Sequence, residues 1–240
     1  MNIFLAGATG AIGLASLRIL VSRGHRVFAM TRRPDRTEDL SAAGAVAVVA
    51  DVFDPETLRA AVGAAKPDAV LHQLTDLAWL REPGKLAEAL RRNAEVRKTG
   101  TAHLVAAALS AGVERMVAQS IGWMYRPGKE PHGEEDPLDL SASGIRGTTV
   151  DGVATLERLV LDTPGLQGCV LRYGRIYGPG TGNRDASGLE LPVHVEAAAW
   201  AAVLALEKRV VGAFNVAELN GYADTDKVRR TLGWHESLRA

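Results

Sequence analysis

The chain has 240 residues, of which 47% are apolar, and its 28 basic residues are matched by 28 acidic ones. That composition supports a sizeable core and excludes global disorder. The balanced charge gives no electrostatic case for nucleic acid or an anionic membrane as partner. No run is long enough to span a bilayer, and MNIFLAGATG enters a strand-like run without a basic, apolar leader, which points to a cytoplasmic protein. The single cysteine, Cys169 in CVLRY, has no disulfide partner and no metal-ligand cluster around it.

Along the chain, short apolar runs alternate with helical segments. Strands are predicted over 2–6, 26–30, 45–50, 69–72, 115–119 and 168–173. Helices are predicted over 11–22, from Asp54-Pro55 (an N-cap followed by proline at the first helical position), and over 85–110 and 148–161. In the last of these, GTTVDGVATLERLV, Asp151 or one of the paired threonines would cap the start. The rhythm implies a doubly wound parallel α/β sheet with helices on both faces, a Rossmann-type fold. After Tyr177-Gly-Pro-Gly the rhythm breaks. A polar loop over 181–192, a helix over 195–208, a strand over 213–216 and a helix over 224–232 follow. Residues 1–180 thus form a nucleotide-binding domain, and 181–240 a short substrate-side segment packed on it.

FLAGATGAIG sets Gly7, Gly10 and Gly13 in a G-x-x-G-x-x-G spacing between the first strand and the first helix. Glycines there permit a tight turn and close backbone approach. The amides of Thr9, Gly10, Ala11, Ile12 and Gly13 can then hold a pyrophosphate at the helix N-terminus. After strand two the chain reads Thr31-Arg32-Arg33, with no acid before Asp35. Two guanidiniums at that point favour NADP(H), whose 2′-phosphate they match, over NAD(H). After strand three, Asp51 is placed to accept from the adenine amine and Val52 to pack on the ring.

Together these pieces resemble the short-chain dehydrogenase/reductase superfamily, in its extended and atypical branch of NAD(P)-dependent epimerases, dehydratases and reductases. The carrying motifs are AGATGAIG, Asp51, VLHQLT (70–75), GTAHLVAAALSAGVERMVAQS (100–120), LRYGRIYGPG (171–180), PVHVEAAA (192–199), GAFNVA (212–217) and DTDKVRRTLGW (224–234). The resemblance implies that Gln73 and Leu74 pass beside the nicotinamide ribose, that Tyr173 and Gly174 lie near the nicotinamide amide, and that 177–180 edge the substrate cleft. It also implies a homodimer paired through helices 85–110 and 148–161.

The family's redox chemistry uses a Tyr-x-x-x-Lys pair on one helix and a Ser or Thr after strand five. The lysine lowers the tyrosine pKa and holds the ribose while the phenol moves a proton. A glutamate usually follows the lysine by four residues, and Glu157 takes that place. Counting back puts Val153 at the lysine position and Thr149 at the tyrosine position, so the helix lacks both. Ser120 and Ile121 fall where two hydroxyl residues are expected, Arg97 replaces a customary asparagine, and Glu196 and Ala197 stand where acids are usual. The insert that normally binds a sugar nucleotide is cut to a short loop.

Ser120, Tyr125 and Thr149 are the candidate catalytic residues on position alone, with Lys129, His132 and Glu134 in the next loop. Trp79, Trp123 and Tyr125 near the expected pocket favour an apolar or aromatic small-molecule substrate over a sugar nucleotide. The residues therefore imply an NADP-dependent oxidoreductase acting on a small, largely apolar carbonyl or enone with a non-standard proton donor. The alternatives are an NADP(H)-binding sensor without turnover and, third, a sugar-nucleotide epimerase or dehydratase.

Overall fold

The computed structural model describes residues 1–77, 79–80 and 82–239. Its centre is a seven-stranded parallel sheet in the order β3-β2-β1-β4-β5-β6-β9. The strands are β1 (Asn2–Ala6), β2 (Arg26–Thr31), β3 (Val46–Val49), β4 (Ala69–His72), β5 (Arg115–Ile121), β6 (Gln167–Tyr173) and β9 (Gly212–Val216). A separate two-stranded ribbon pairs β7 (Arg175–Tyr177) with β8 (Pro192–His194). The helices are α1 (Ala11–Ser22), α2 (Thr37–Ala42), α3 (Pro55–Ala65), α4 (Leu86–Glu95), α5 (Thr101–Ser110), α6 (Gly144–Leu161), α7 (Val195–Lys208) and α8 (Asp226–Leu232).

Side chains of β1 alternate between two cores, as the pleat demands. Ile3 and Leu5 join the cluster under α1 and α7, whereas Phe4 and Ala6 join the one under α3, α5 and α6. Both faces are covered, so the strand is apolar throughout rather than alternating. Between β1 and β4 the strand order reverses, which opens a crevice at the carboxyl ends of these strands.

Local signals account for several boundaries. Asp54 caps α3 by accepting from the Thr57 amide, with Pro55 at the first helical position. Two segments differ from their sequence reading. The 85–110 run is not one regular helix, because a π-helical turn over Val96–Gly100 separates α4 from α5. Helix α6 begins at Gly144, after Ser143, and none of the proposed residues caps it. Thr148 and Thr149 instead donate to the carbonyls of Gly144 and Ile145, and Asp151 pairs with Lys98 on the π-helical turn.

Residues 181–240 are built into the main sheet. β9 is its seventh strand and α7 packs an alanine-rich face against α1. Trp234, 1% exposed, donates from Nε1 to the Ala197 carbonyl at 2.7 Å and pins the last segment to α7. Trp234→Ala is expected to cost about 3–5 kcal/mol, the range for truncating a buried large aromatic, read as a lower midpoint in urea unfolding.

Candidate nucleotide and hydride-transfer site

The glycine loop is shaped by contacts that leave no room for side chains. Gly7 adopts φ +91°, and a Cβ there would lie 2.5 Å from the Gln73 carbonyl oxygen. A Cβ on Gly13 would lie 2.1 Å from the Gly7 oxygen. These two glycines let α1 start directly against the ends of β1 and β4. Gly10, the residue preceding α1, offers no side-chain cap, and the first turn holds no acid. The amides of Ala11, Ile12 and Gly13 are thus left for an anion. Thr9 and Gly10 close the turn, with the Gly10 amide donating to Gly7 at 3.1 Å.

In the loop after β3, Asp51 accepts from the Phe53 amide at 2.9 Å, and Val52 is buried against Gly100. His103 Nδ1 lies 2.9 Å from the Val52 carbonyl oxygen, so that nitrogen carries the proton. The two arginines after β2 differ sharply. Arg33 is held by Asp35 at 2.8 and 3.4 Å and turned to solvent. Arg32 lies a looser 3.8 Å from Asp76, whose principal partner is Arg92 at 2.8 Å. Arg92 also stacks on Trp79, its guanidinium carbon 4.1 Å from the ring centre. Arg32 is therefore the arginine poised between these loops.

Beyond β4, the Leu74 amide donates to His72 Nδ1 at 3.3 Å, and the Leu74 carbonyl accepts from Gln119. His72 Nε2 then donates to Thr101 Oγ1 at 2.9 Å. Burial, with the nearby Arg97 charge, pulls the His72 pKa down to about 4, so it is neutral at neutral pH. Gln73 is 4% exposed with its carboxamide beside the Tyr173 hydroxyl, and neither amide atom makes a hydrogen bond of good geometry. An orphaned carboxamide beside the glycine loop is costly unless a ligand meets it. The glycine cradle, the uncapped helix start and Gln73 together fit a dinucleotide. Tyr173, by contrast, buries its ring and donates to the Ala198 carbonyl at 3.0 Å, so its hydroxyl is turned into the core. Gly174 presses on Leu191, where a Cβ would meet the carbonyl oxygen at 2.2 Å.

The candidate catalytic hydroxyls are all engaged. Ser120 Oγ donates to Glu157 Oε1 at 2.7 Å. Glu157 is chelated by Arg172 at 3.0 and 2.7 Å, and Arg172 Nη1 also donates to the Tyr125 hydroxyl and the Glu134 carbonyl. Burial opposes the Arg172 charge, but its bonds to Glu157 outweigh that and hold its pKa raised. Tyr125 donates in turn to Asn215 Oδ1 at 2.6 Å and stacks on His132. Sequence position suggested the cleft mouth for Tyr125; the structure places it inside, 1% exposed, with burial pushing its pKa up to about 12. The chain has one Tyr-x-x-x-Lys spacing, Tyr125 to Lys129, but it falls in a loop with Pro127 and Gly128, not on a helix. Glu134 accepts from the Asn215 amide, and Lys129 is exposed. Thr149 is 8% exposed and donates to Ile145, while Val153 is fully buried beside Ile121 and Met124.

Past the end of β5, a cavity of about 170 Å³ is lined by Trp123, Arg146, Arg175, Glu190, Leu191 and Tyr222. The Arg175 guanidinium carbon sits 4.7 Å from the centre of the Trp123 ring. Asp139 and the carbonyls of Trp123 and Tyr125 hold Arg146 in place. The sequence reading missed the Glu157–Arg172 pair, although a lone arginine inside CVLRY was a visible signal for a buried partner.

The chain matches the NAD(P)H-binding family over residues 7–182 and belongs to it. It is 42% identical over 238 residues to a "3-diazoavenalumate denitrifying reductase" from a Streptomyces species, covering 91% of this chain and 76% of that one. The fold is similar to that of UDP-glucose-4-epimerase from Stenotrophomonas maltophila, at 19% identity and TM-score 0.79, covering 98% and 93% of the two chains. It is also similar to the Bordetella bronchiseptica enzyme WbmG, solved with NAD, at 18% identity and TM-score 0.76, covering 99% and 89%.

Two outcomes are expected from this geometry. Gly13→Ala drives a methyl into Gly7 and should abolish the NADPH-induced rise in melting temperature. His72 has a folded pKa below its unfolded 6.5. Its contribution to stability is therefore complete above pH 6.5 and is lost as pH falls toward 4. Melting curves across that window should drop for the wild type and drop less for His72→Gln.

Proposed function

We propose that this member of the NAD(P)H-binding family is an NADPH-dependent reductase that passes hydride to a small, largely apolar electrophile. One observation carries the reading. The nucleotide cradle is complete, whereas the hydroxyls expected to move a proton are absent or committed elsewhere. NADPH supplies the hydride when bound, and the chain's task is to hold and orient it. The α1 amides take the pyrophosphate, Asp51 and Val52 the adenine, Arg32 the 2′-phosphate, and Gln73 the nicotinamide side. Ser120 and Tyr125 act as positioning residues through Glu157 and Arg172. Thr149 is the hydroxyl nearest the place of the usual acid.

A carbonyl or enone acceptor needs a proton as the oxygen gains charge, which Thr149 or water must supply. A diazonium does not. Hydride adds to its outer nitrogen to give a diazene, and that nitrogen's hydrogen passes to carbon as N₂ leaves. The name of the Streptomyces relative, with its diazo substrate and denitrifying reduction, supports this acceptor. Trp123, Tyr222 and Leu191 suit a small aromatic group. A homodimer through α4, α5 and α6 is supported by Leu86 and Ile145, exposed apolar residues on neighbouring faces.

Loss of NADPH absorbance on adding a panel of aryl diazonium salts, enones and aromatic aldehydes tests the reading. Tight NADPH binding without oxidation across the panel would leave a cofactor-binding module instead. Arg32→Ala should weaken NADPH about tenfold and leave NADH unchanged, while Arg33→Ala alters neither. Tyr125→Phe should lower the melting temperature yet keep turnover within about twofold; a collapse of turnover alone would make Tyr125 the donor.

A further inference from the structure

The π-helical turn over Val96–Gly100 places Arg97 in the interior, 7% exposed. Turns of this kind insert an extra residue into a helix and concentrate at functional sites. Among the described residues Arg97 has no hydrogen-bond or ion-pair partner, and its guanidinium nitrogens are not fully sealed from solvent. The other buried or half-buried arginines near the cleft are satisfied: Arg172 by Glu157, Arg92 by Asp76 and Arg146 by Asp139. Burial lowers the Arg97 pKa to about 10, which still leaves it charged at neutral pH. A guanidinium presents five donors and cannot shed its charge to escape the interior. A largely buried cation without a counter-charge is unfavourable, and an anionic ligand can relieve that cost.

The surroundings say which ligand. His72, at the carboxyl end of β4, feels the Arg97 charge. The next residue, Gln73, is the orphaned amide, and its backbone abuts Gly7 of the phosphate loop. One turn before Arg97, Ala94 touches Gly152 of α6, where a Cβ would meet it at 3.0 Å. Gly152 adjoins Val153, the fully buried residue at the place of the usual lysine. α4 and α6 pack tightly here, and the cation absent from position 153 of α6 stands on the neighbouring π-helical turn.

We propose that Arg97 is the buried counter-ion of the cofactor, performing from the π-helical turn the cationic task that a lysine on α6 performs elsewhere in the superfamily. Its donors would be offered to the ribose on the nicotinamide side, near His72 and Gln73. This rests on the NADPH-binding reading and not on any particular acceptor. The charge is costly without cofactor and favourable with it, so its removal has opposite effects on the two states.

The test is Arg97→Met, which keeps an apolar stem of similar reach, with Arg97→Lys as the conservative variant. NADPH affinity is measured by titration, and apo stability by thermal melting, alongside the wild type. The expected result is an apo melting temperature equal to or above wild type, with NADPH Kd at least tenfold weaker, about 1.4 kcal/mol. Arg97→Lys should recover part of the affinity. A Kd within twofold of wild type overturns the proposal, and so does a weaker Kd accompanied by a lowered apo melting temperature, which marks a packing role. Wild-type binding without any turnover would sink the reductase reading alone.

Discussion

The buried pair of Glu157 with Arg172 governs what this site can do. It ties α6 to β6 and captures Ser120, Tyr125 and, through Asn215, the loop at 132–134. Two charges taken out of water repay their desolvation only with near-ideal geometry and further hydrogen bonds. Here the carboxylate is met bidentately and by a hydroxyl, and the guanidinium also donates to a phenol and a carbonyl. The network is saturated. A side chain fully spent on holding the interior has little capacity left for proton transfer, which is why the hydroxyls near the cleft are poor acids.

Binding and chemistry are consequently separated in this molecule. Everything on the nucleotide side is a matter of backbone approach and unspent donors: uncapped amides on α1, an unmet carboxamide at Gln73, an unpaired guanidinium at Arg97. Around the cavity past β5, Trp123, Leu191 and Tyr222 share the lining with Arg146, Arg175 and Glu190, and the nearby face of α6 is apolar at Val150 and Val153.

Local physics made much of the fold legible in the sequence. The bounds of β1, α1, β4 and α7 follow from glycine spacing and apolar periodicity, and Asp54-Pro55 marks α3 because a cap and a fixed φ act within four residues. Tyr125 was not legible in the same way. Its burial depends on Asn215 and Arg172, ninety and forty-seven residues away, and no local pattern carries that. The start of α6 was hidden because Gly147 and two threonines weaken the helical signal of IRGTT, and its first turn is steadied by Arg146 reaching back to Asp139. The π-helical turn left no trace in periodicity either, since one extra residue between the amphipathic run of α4 and the apolar run of α5 reads as ordinary drift. The glycine loop could be placed from sequence, but the isolation of Arg97 is a three-dimensional fact.

The pairing of α1 with α7 sets the kinetics of the fold. The phosphate loop is among the earliest segments of the chain, yet the helix it launches is sheltered by one near the other end, and the sheet is closed by β9. Few of the contacts that rigidify the nucleotide cradle are local, and non-local closure is entropically slow. A half-formed chain would display the cradle's strands with one face bare, a state prone to mis-association. The cradle is therefore complete only in chains whose two ends have met.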